Sequence, residues 1–282
     1  MNPFRQGLAH KRTVDLPPVL DRLREAKGRI DRAGSILLFL DFDGTLAPIV
    51  QEPMLAVLPA ATRHVLDELV AHATITIAIV SGRSLGDVKG RVGMPDLIYA
   101  GNHGLEIEGR GFSFEHPQAA VLKGAVREIT ERIAAHADSL EGIEIESKGL
   151  TSSIHYRRAA RSAQIHLDAL LRDIVAPGDP NIELKEGKMV HEIRPRVDWD
   201  KGKAVAWIRK QLDQPDALPI VMGDDTTDED AFAAFDDAIT ICVAPQRPTA
   251  AKYRVESPDG VRDYLERLAR AWEQRAGVDG GP

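Results

Sequence analysis

Five short apolar runs constrain this chain more than any other feature. Residues 36–40, 74–80, 97–100, 218–222 and 239–243 are continuously apolar or β-branched rather than alternating. Strands covered on both faces read this way, because neither side of the sheet meets water. Amphipathic stretches lie between and after them. Residues 62–71 place Val65, Leu66, Leu69 and Val70 on one helical face, and residues 201–212 do the same with Ala204, Val205, Ile208 and Leu212. Ser84 with Asp87 three residues on has the spacing of a capping box. A closing helix carries Val261, Tyr264, Leu265, Leu268 and Trp272 on one stripe. Strand and helix in alternation predict an α/β fold, a parallel sheet covered by helices on both faces.

The middle of the chain follows another rhythm. Residues 143–146, 151–156 and 189–193 alternate apolar and polar positions, the pattern of a sheet with one wet face. The expected organisation is therefore a core over 35–111 and 196–282, interrupted by an inserted α+β domain over 112–195. Residues 1–34, with Leu16, Leu20, Leu23 and Ile30, are expected to form a helical segment packed on the core.

Composition narrows the class of function. The 282 residues carry 36 basic and 43 acidic side chains, a formal charge of −7. That balance, without a basic stripe interleaved with aromatics, disfavours nucleic acid and anionic membrane as partners. A single cysteine, Cys242, forbids an internal disulfide and fits a reducing compartment. No apolar run approaches the ~20 residues of a membrane-spanning helix. The N-terminus lacks the apolar stretch of a secretory signal. A cytoplasmic protein is expected.

The polar words of the chain all follow apolar runs, which places them along the carboxyl edge of one parallel sheet, where open α/β sheets bind ligands. Asp41-Phe42-Asp43-Gly44-Thr45 is the sharpest. Two carboxylates two residues apart at a strand end repel unless a proton or cation lies between them, and a hard cation with oxygen ligands suits the pair. Alone, an Asp-rich turn that bonds its own backbone accounts for it equally well. A second acidic word, Gly223-Asp224-Asp225-Thr226-Thr227-Asp228-Glu229, shifts the balance. Thr226 and Glu229 fit a capping box, but Asp224 and Asp225 precede it and need another purpose. Ser81-Gly82-Arg83 offers a hydroxyl and backbone N–H groups at a strand-to-helix junction, an anion site. Lys201, opening a helix, adds a point charge.

Taken together, Asp-Phe-Asp-Gly-Thr, Ser-Gly-Arg, Lys201 and Gly-Asp-Asp resemble the four motifs of the haloacid-dehalogenase-type phosphatases. More narrowly, the chain resembles the trehalose-6-phosphate phosphatases. The words that carry this are residues 41–50, Gly101-Asn102-His103-Gly104-Leu105-Glu106, His155-Tyr156-Arg157, residues 187–195, Trp199-Asp200-Lys201-Gly202 and residues 223–229. The likeness covers about residues 35–260, insert included. It implies a Rossmann-like parallel-sheet core with an inserted α+β cap, and a Mg2+-dependent phosphatase acting on trehalose 6-phosphate. Phe42 stands where the family often has Tyr, which removes no chemistry.

The resemblance also implies roles. Asp41 would be the nucleophile and Asp43 the general acid and base. Mg2+ would be held by the carboxylates of Asp41 and Asp224 and the main-chain carbonyl of Asp43, with Asp225 and Asp228 supporting it. Ser81 and Lys201 would hold the transferring phosphoryl group, with Gly82 and Arg83 beside it. In the cap, residues 188–194 read as a strand would put Lys188, Val190, Glu192 and Arg194 on one face, with Met189, His191 and Ile193 on the other. Such a stripe is ordinarily a solvated face. With the resemblance, Lys188 and Glu192 become sugar contacts, backed by Lys148 and Arg157, with Glu106 from the core. His191 and His103 read as structural, and Cys242 as a small core residue. The chain is expected to be linked functionally to a trehalose-phosphate synthase, and is too short to contain one. The competing readings are a phosphatase of the same scaffold for sucrose phosphate, glucosylglycerol phosphate or a hexose phosphate, and a catalytically silent sugar-phosphate-binding module.

Overall fold

The computed structural model describes residues 16–19, 28–137, 140–187 and 189–279. The chain divides into two compact units, residues 1–112 with 200–282, and residues 113–199.

The first unit opens with β1 (Ile36–Leu40), all five residues buried. Helix α1 (Ala60–Val70) turns Val65, Leu66 and Leu69 inward, and β2 (Ile75–Val80) is again wholly buried. Helix α2 (Leu85–Val92) starts at Ser84, whose hydroxyl accepts from the Asp87 amide. It ends at Gly93, left-handed at φ 61°, as helix ends commonly require. Strand β3 (Ile98–Gly101) completes the forward run, and β4 (Glu106–Gly109) folds back antiparallel on it. The boundary between the units then falls within β5 (Phe112–Glu115).

The second unit holds α3 (Pro117–Ala137), β6 (Glu144–Ser147), β7 (Ser152–His155), α4 (Arg161–Ile174), β8 (Ile182–Gly187) and β9 (Val190–Pro195). Its strands pair antiparallel in the order β6-β7-β9-β8. Val126, Ile133, Ile154, Leu167, Leu171 and Ile193 close a separate apolar core beneath one face. The strand expected from residue 188 begins at 190 instead. Met189 has φ 63°, so it belongs to the turn between β8 and β9, and Lys188 lies outside the described residues. Within β9 the alternation holds, His191 and Ile193 buried, Val190, Glu192 and Arg194 half-buried.

The chain re-enters the first unit through α5 (Lys201–Gln211), β10 (Leu218–Gly223), α6 (Asp228–Phe232), β11 (Ile239–Val243), β12 (Tyr253–Val255) and α7 (Pro258–Asp279). Among the described residues its sheet runs β12-β11-β10-β1-β2-β3-β4, continuing to β5, and the first six strands are parallel. The chain builds outward from β1 in one direction, then returns to build outward in the other. The reversal lies between β1 and β10, paired Ile36 to Leu218 through Leu40 to Met222. Carboxyl ends at such a switch point leave a crevice where the loops part.

Within the segment expected to be helical, residues 28–30 are helical and residues 16–19 are not. Residues 16–19 run extended beside β12, with the Val19 amide donating to the Arg254 carbonyl and the Arg254 amide donating to the Pro17 carbonyl. Pro17 and Pro18 explain this, since proline lacks an amide donor and forces the residue before it out of the helical region. Leu16 and Ile30 are buried, whereas Leu20 and Leu23 lie outside the described residues.

Candidate active site

Asp41 stands one residue beyond β1, its amide still donating to the Met222 carbonyl as though the strand continued. The loop that follows is tightly closed: the Gly44 amide donates to the Ala47 carbonyl, and the Leu46 and Ala47 amides to the Phe42 carbonyl. Gly44 is left-handed at φ 83°, and a Cβ on it would lie 2.3 Å from Asp224 Oδ2. A side chain at that position would occupy the place of the Asp224 carboxylate. The loop after β1 and the loop after β10 therefore meet only because residue 44 is glycine.

Lys201 is the first residue of α5, a helix capped by Asp200 accepting from the Lys203 amide. The Lys201 ammonium donates at 2.7 Å to Asp41 Oδ1 and at 2.7 Å to Asp228 Oδ1. All three side chains are buried. Asp41, Asp224 and Asp228 each bring a carboxylate oxygen within 4.8 Å of the others. Two carboxylates thus share one ammonium, and a third, half-buried, stands close to both. Burial pushes the Asp41 carboxyl well above its usual range; Lys201 opposes this, and Asp228 and Asp224 add to it. For Lys201, burial works to remove the proton, but Asp228 and Asp41 outweigh it and hold the lysine charged.

The crowding is a test of whether Mg2+ fits. Carboxylates forced together in a buried place raise one another's proton affinity unless a cation offsets them. One ammonium does not balance three. The donor set is all oxygen, as Mg2+ prefers, and Gly44 leaves the space that Asp224 fills. The residues fit the ion. Asp228, assigned an outer role from sequence, stands in the carboxylate cluster itself, and its other oxygen accepts from the Asp225 amide at 3.0 Å.

Asp43 is engaged elsewhere. Arg83 grips it with both arms of its guanidinium, Nε to Oδ2 at 2.6 Å and Nη2 to Oδ1 at 2.7 Å. Arg83 Nη2 also donates to the Pro53 carbonyl, and Nη1 to Asp87 Oδ2 at 2.8 Å. Burial alone would lower the proton affinity of this guanidinium, but Asp43 and then Asp87 reverse that and fix its charge. Ser81, buried past the end of β2, accepts from the Arg83 amide at 3.2 Å, and its own amide donates to the Ala100 carbonyl. Gly82 lies beneath the His103 ring, where a Cβ would come within 2.6 Å of Cε1. That packing, with the left-handed φ of Asn102 and His103, is the structural use of His103.

Neither expected capping box closes fully. At Ser84 the hydroxyl caps as expected, but the Asp87 carboxylate takes Arg83 and Arg91 instead of the cap amide. Thr226 does not cap α6, and Glu229 instead accepts from the Ala250 amide. Helix α6 is too short to need more, and Asp225 secures the turn before it by accepting from the Thr226 amide.

The remaining sequence-derived contacts fall in two places. Glu106, opening β4, accepts from Asn102 Nδ2 at 2.6 Å. In the second unit, Glu192 on β9 takes Arg194 Nε at 2.9 Å, faces Lys148 at 3.7 Å, and accepts from Ser153 Oγ at 3.5 Å. Lys148 also approaches Glu146 at 3.9 Å, and Arg157 is exposed beyond β7.

Residues 39–259 match the family model described as trehalose-phosphatase. The chain belongs to the trehalose-phosphatase family. Trehalose-phosphate phosphatase of Mycobacterium tuberculosis is 36% identical over 273 residues, which span 92% of this chain and 67% of the relative. A solved trehalose-6-phosphate phosphatase related protein superposes with a TM-score of 0.71 at 27% identity, covering 85% of this chain and 99% of its own. The fold is also that of a haloacid dehalogenase-like hydrolase from Bacteroides thetaiotaomicron, TM-score 0.57 at 16% identity, covering 83% of this chain and 99% of that one. This member of the trehalose-phosphatase family is thus a phosphatase on a haloacid-dehalogenase-type core. Among the described residues, no helix is long and apolar enough to cross a membrane.

Asp87 is read from sequence only as a capping residue and Arg91 is not singled out, although Arg83, Asp87 and Arg91 recur every four residues. That spacing was the available signal.

Proposed function

We propose that the chain hydrolyses trehalose 6-phosphate through an aspartyl-phosphate on Asp41, within the cytoplasm. The observation that carries this is the group of buried Asp41, Lys201 and Asp228 with half-buried Asp224 at the sheet's switch point. One Asp41 oxygen is fixed by Lys201, which orients the carboxylate for attack on phosphorus. The new bond joins an Asp41 oxygen to phosphorus. The ester bond to the sugar breaks, its electron pair stays on the sugar oxygen, and Asp43 supplies the proton. Asp43, now a carboxylate, takes a proton from water. The resulting hydroxide displaces the Asp41 oxygen and releases phosphate.

Lys201 and Ser81 would bind the phosphoryl oxygens as charge spreads over them. Mg2+, held by Asp41, Asp224, Asp228 and the Asp43 carbonyl, would neutralise phosphoryl charge when bound. Glu192 and Lys148, with Lys188 and Arg157, would recognise the sugar, and Glu106 would assist. A trehalose-phosphate synthase would supply the substrate.

Phosphate release from trehalose 6-phosphate, sucrose phosphate, glucosylglycerol phosphate and glucose 6-phosphate tests the substrate. The trehalose ester should have the highest kcat/KM; preference for another ester reassigns it. Binding without release from any ester overturns the catalytic reading. Activity should vanish in EDTA and return with Mg2+, and full activity in chelator removes the metal.

A further inference from the structure

Arg83 lies in a motif where a phosphate ligand is expected, yet its guanidinium is otherwise committed. Both carboxylate oxygens of Asp43 are taken by its Nε and Nη2, the fork geometry that fixes a carboxylate's position as well as its direction. The other arm is held in turn. Asp87 Oδ2 accepts from Arg83 Nη1 and from Arg91 Nε, both at 2.8 Å. Arg91 Nη1 donates to the carbonyls of Met54 and Ala56, and Arg83 Nη2 to that of Pro53. The row Asp43, Arg83, Asp87, Arg91 alternates in charge and ends on main-chain carbonyls of the loop after β1. It runs along α2, whose first turn is fixed by Ser84. Arg83 and Arg91 are largely buried, whereas Asp43 keeps 39% of its side-chain surface. The exposed member is the one that chemistry needs.

We infer that Arg83 is a positioning residue: it aims the Asp43 carboxyl at the leaving oxygen, and Asp87 holds Arg83 in place. The inference rests on Asp43 acting as general acid, as proposed above. An arginine that bound the phosphoryl group would matter equally for every phosphate ester. One that positions the acid matters only where the departing oxygen needs a proton. Sugar alkoxides need it; p-nitrophenolate departs without it.

The test compares kcat/KM for trehalose 6-phosphate, or the best sugar ester, with kcat/KM for p-nitrophenyl phosphate, using the full chain with Mg2+. This ratio stops at loss of the first product, so the shared hydrolysis of the acyl phosphate does not enter. Arg83→Gln should lower the sugar-ester value by about 100-fold, the scale of general-acid catalysis, and the aryl-ester value by less than about 10-fold. Asp87→Asn should give the same split, several-fold in size, with Arg83 still present. Arg83→Lys, which keeps the charge and loses the fork, should restore only part of the ratio. Equal losses on both esters, or no loss on either, would overturn the positioning role. If Arg83→Gln does not fold, an unmoved ratio in a folded Asp87→Asn overturns it alone. A wild-type chain that hydrolyses neither ester would remove the phosphatase reading, which a flat ratio in an active enzyme leaves intact.

Discussion

In the parallel sheet the polar groups of the site sit past the ends of strands, whereas in the four-stranded sheet of the second unit charged groups project from within them. Asp41 follows β1, Ser81 follows β2, and Asp224 and Asp228 follow β10. Glu146 lies inside β6, and Glu192 and Arg194 lie inside β9. The first arrangement leaves β1, β2 and β10 without charged residues, so their pairing does not depend on the chemistry at their ends. It also removes water from the charges: Lys201 and Asp228 keep 3% and 4% of their side-chain surface. The second arrangement spends one face of a sheet on polar groups, which are half-buried and pair at distances from 2.9 to 3.9 Å. A buried cluster is suited to making and breaking a bond, and a half-wet lattice to recognising hydroxyls. Turnover should therefore depend on the first region and substrate preference on the second.

The sharpest way to break that contrast is Asp41→Asn. Loss of the nucleophile should lower kcat by at least about three orders of magnitude on every ester. Melting temperature should stay level or rise, because one of three crowded carboxylates is gone. A loss confined to the sugar ester would place chemistry in the wrong region. Next is Lys201→Met. Removing the ammonium strands two buried carboxylates, which costs on the order of 3–5 kcal/mol. Denaturant unfolding measures this, and a change under about 1 kcal/mol would show that the cluster is not ion-paired in solution. In the second region, Glu192→Gln should raise KM for the sugar ester roughly tenfold, about 1.4 kcal/mol of binding. Hydrolysis of p-nitrophenyl phosphate should be unaffected, since that ester carries no sugar. Equal effects on both esters would erase the proposed division of labour.

The smallest effect concerns pH. Burial alone pushes the Asp87 carboxyl up, but Arg91 and Arg83 outweigh it and hold the group below its usual range. A carboxyl whose affinity for protons is lower when folded stabilises the fold above the unfolded pKa of about 3.9 and loses that contribution as pH falls through the folded value. Asp87→Asn should therefore lower stability at pH 7 by about 1 kcal/mol, allowing for solvent screening, with the difference shrinking below about pH 4. A difference that persists at pH 2 would mean the cost is packing rather than charge.

The two regions also differed in how well they could be read in advance. Uninterrupted runs such as 36–40 and 218–222 announce buried parallel strands, and the polar words after them fall at the same edge by topology. Asp41 and Lys201 meet across 160 residues because the helix that Lys201 opens, running into β10, starts at that same edge. The half-wet strands carry less signal. β8 was not foreseen, because Ile182–Gly187 has only two apolar residues, and the strand around Glu192 starts two positions late because Met189 turns the chain. β4 and β12 were missed because three or four residues are too few to show a period. The place of Asp228 among the carboxylates was legible in part, since it lies in the same acidic word as Asp224. The grip of Arg83 on Asp43 was not, because only the folded sheet brings β2's end beside β1's.

One consequence of the strand order reaches into biosynthesis. β1 and β10 are neighbours in the sheet but are translated far apart, with Lys201 leaving the ribosome 160 residues after Asp41. At ordinary elongation rates of about 5–20 residues per second, that interval lasts roughly 8–32 seconds. A nascent chain therefore displays Asp41 well before Lys201 exists, and their pairing waits until the sheet is stitched shut from its later half.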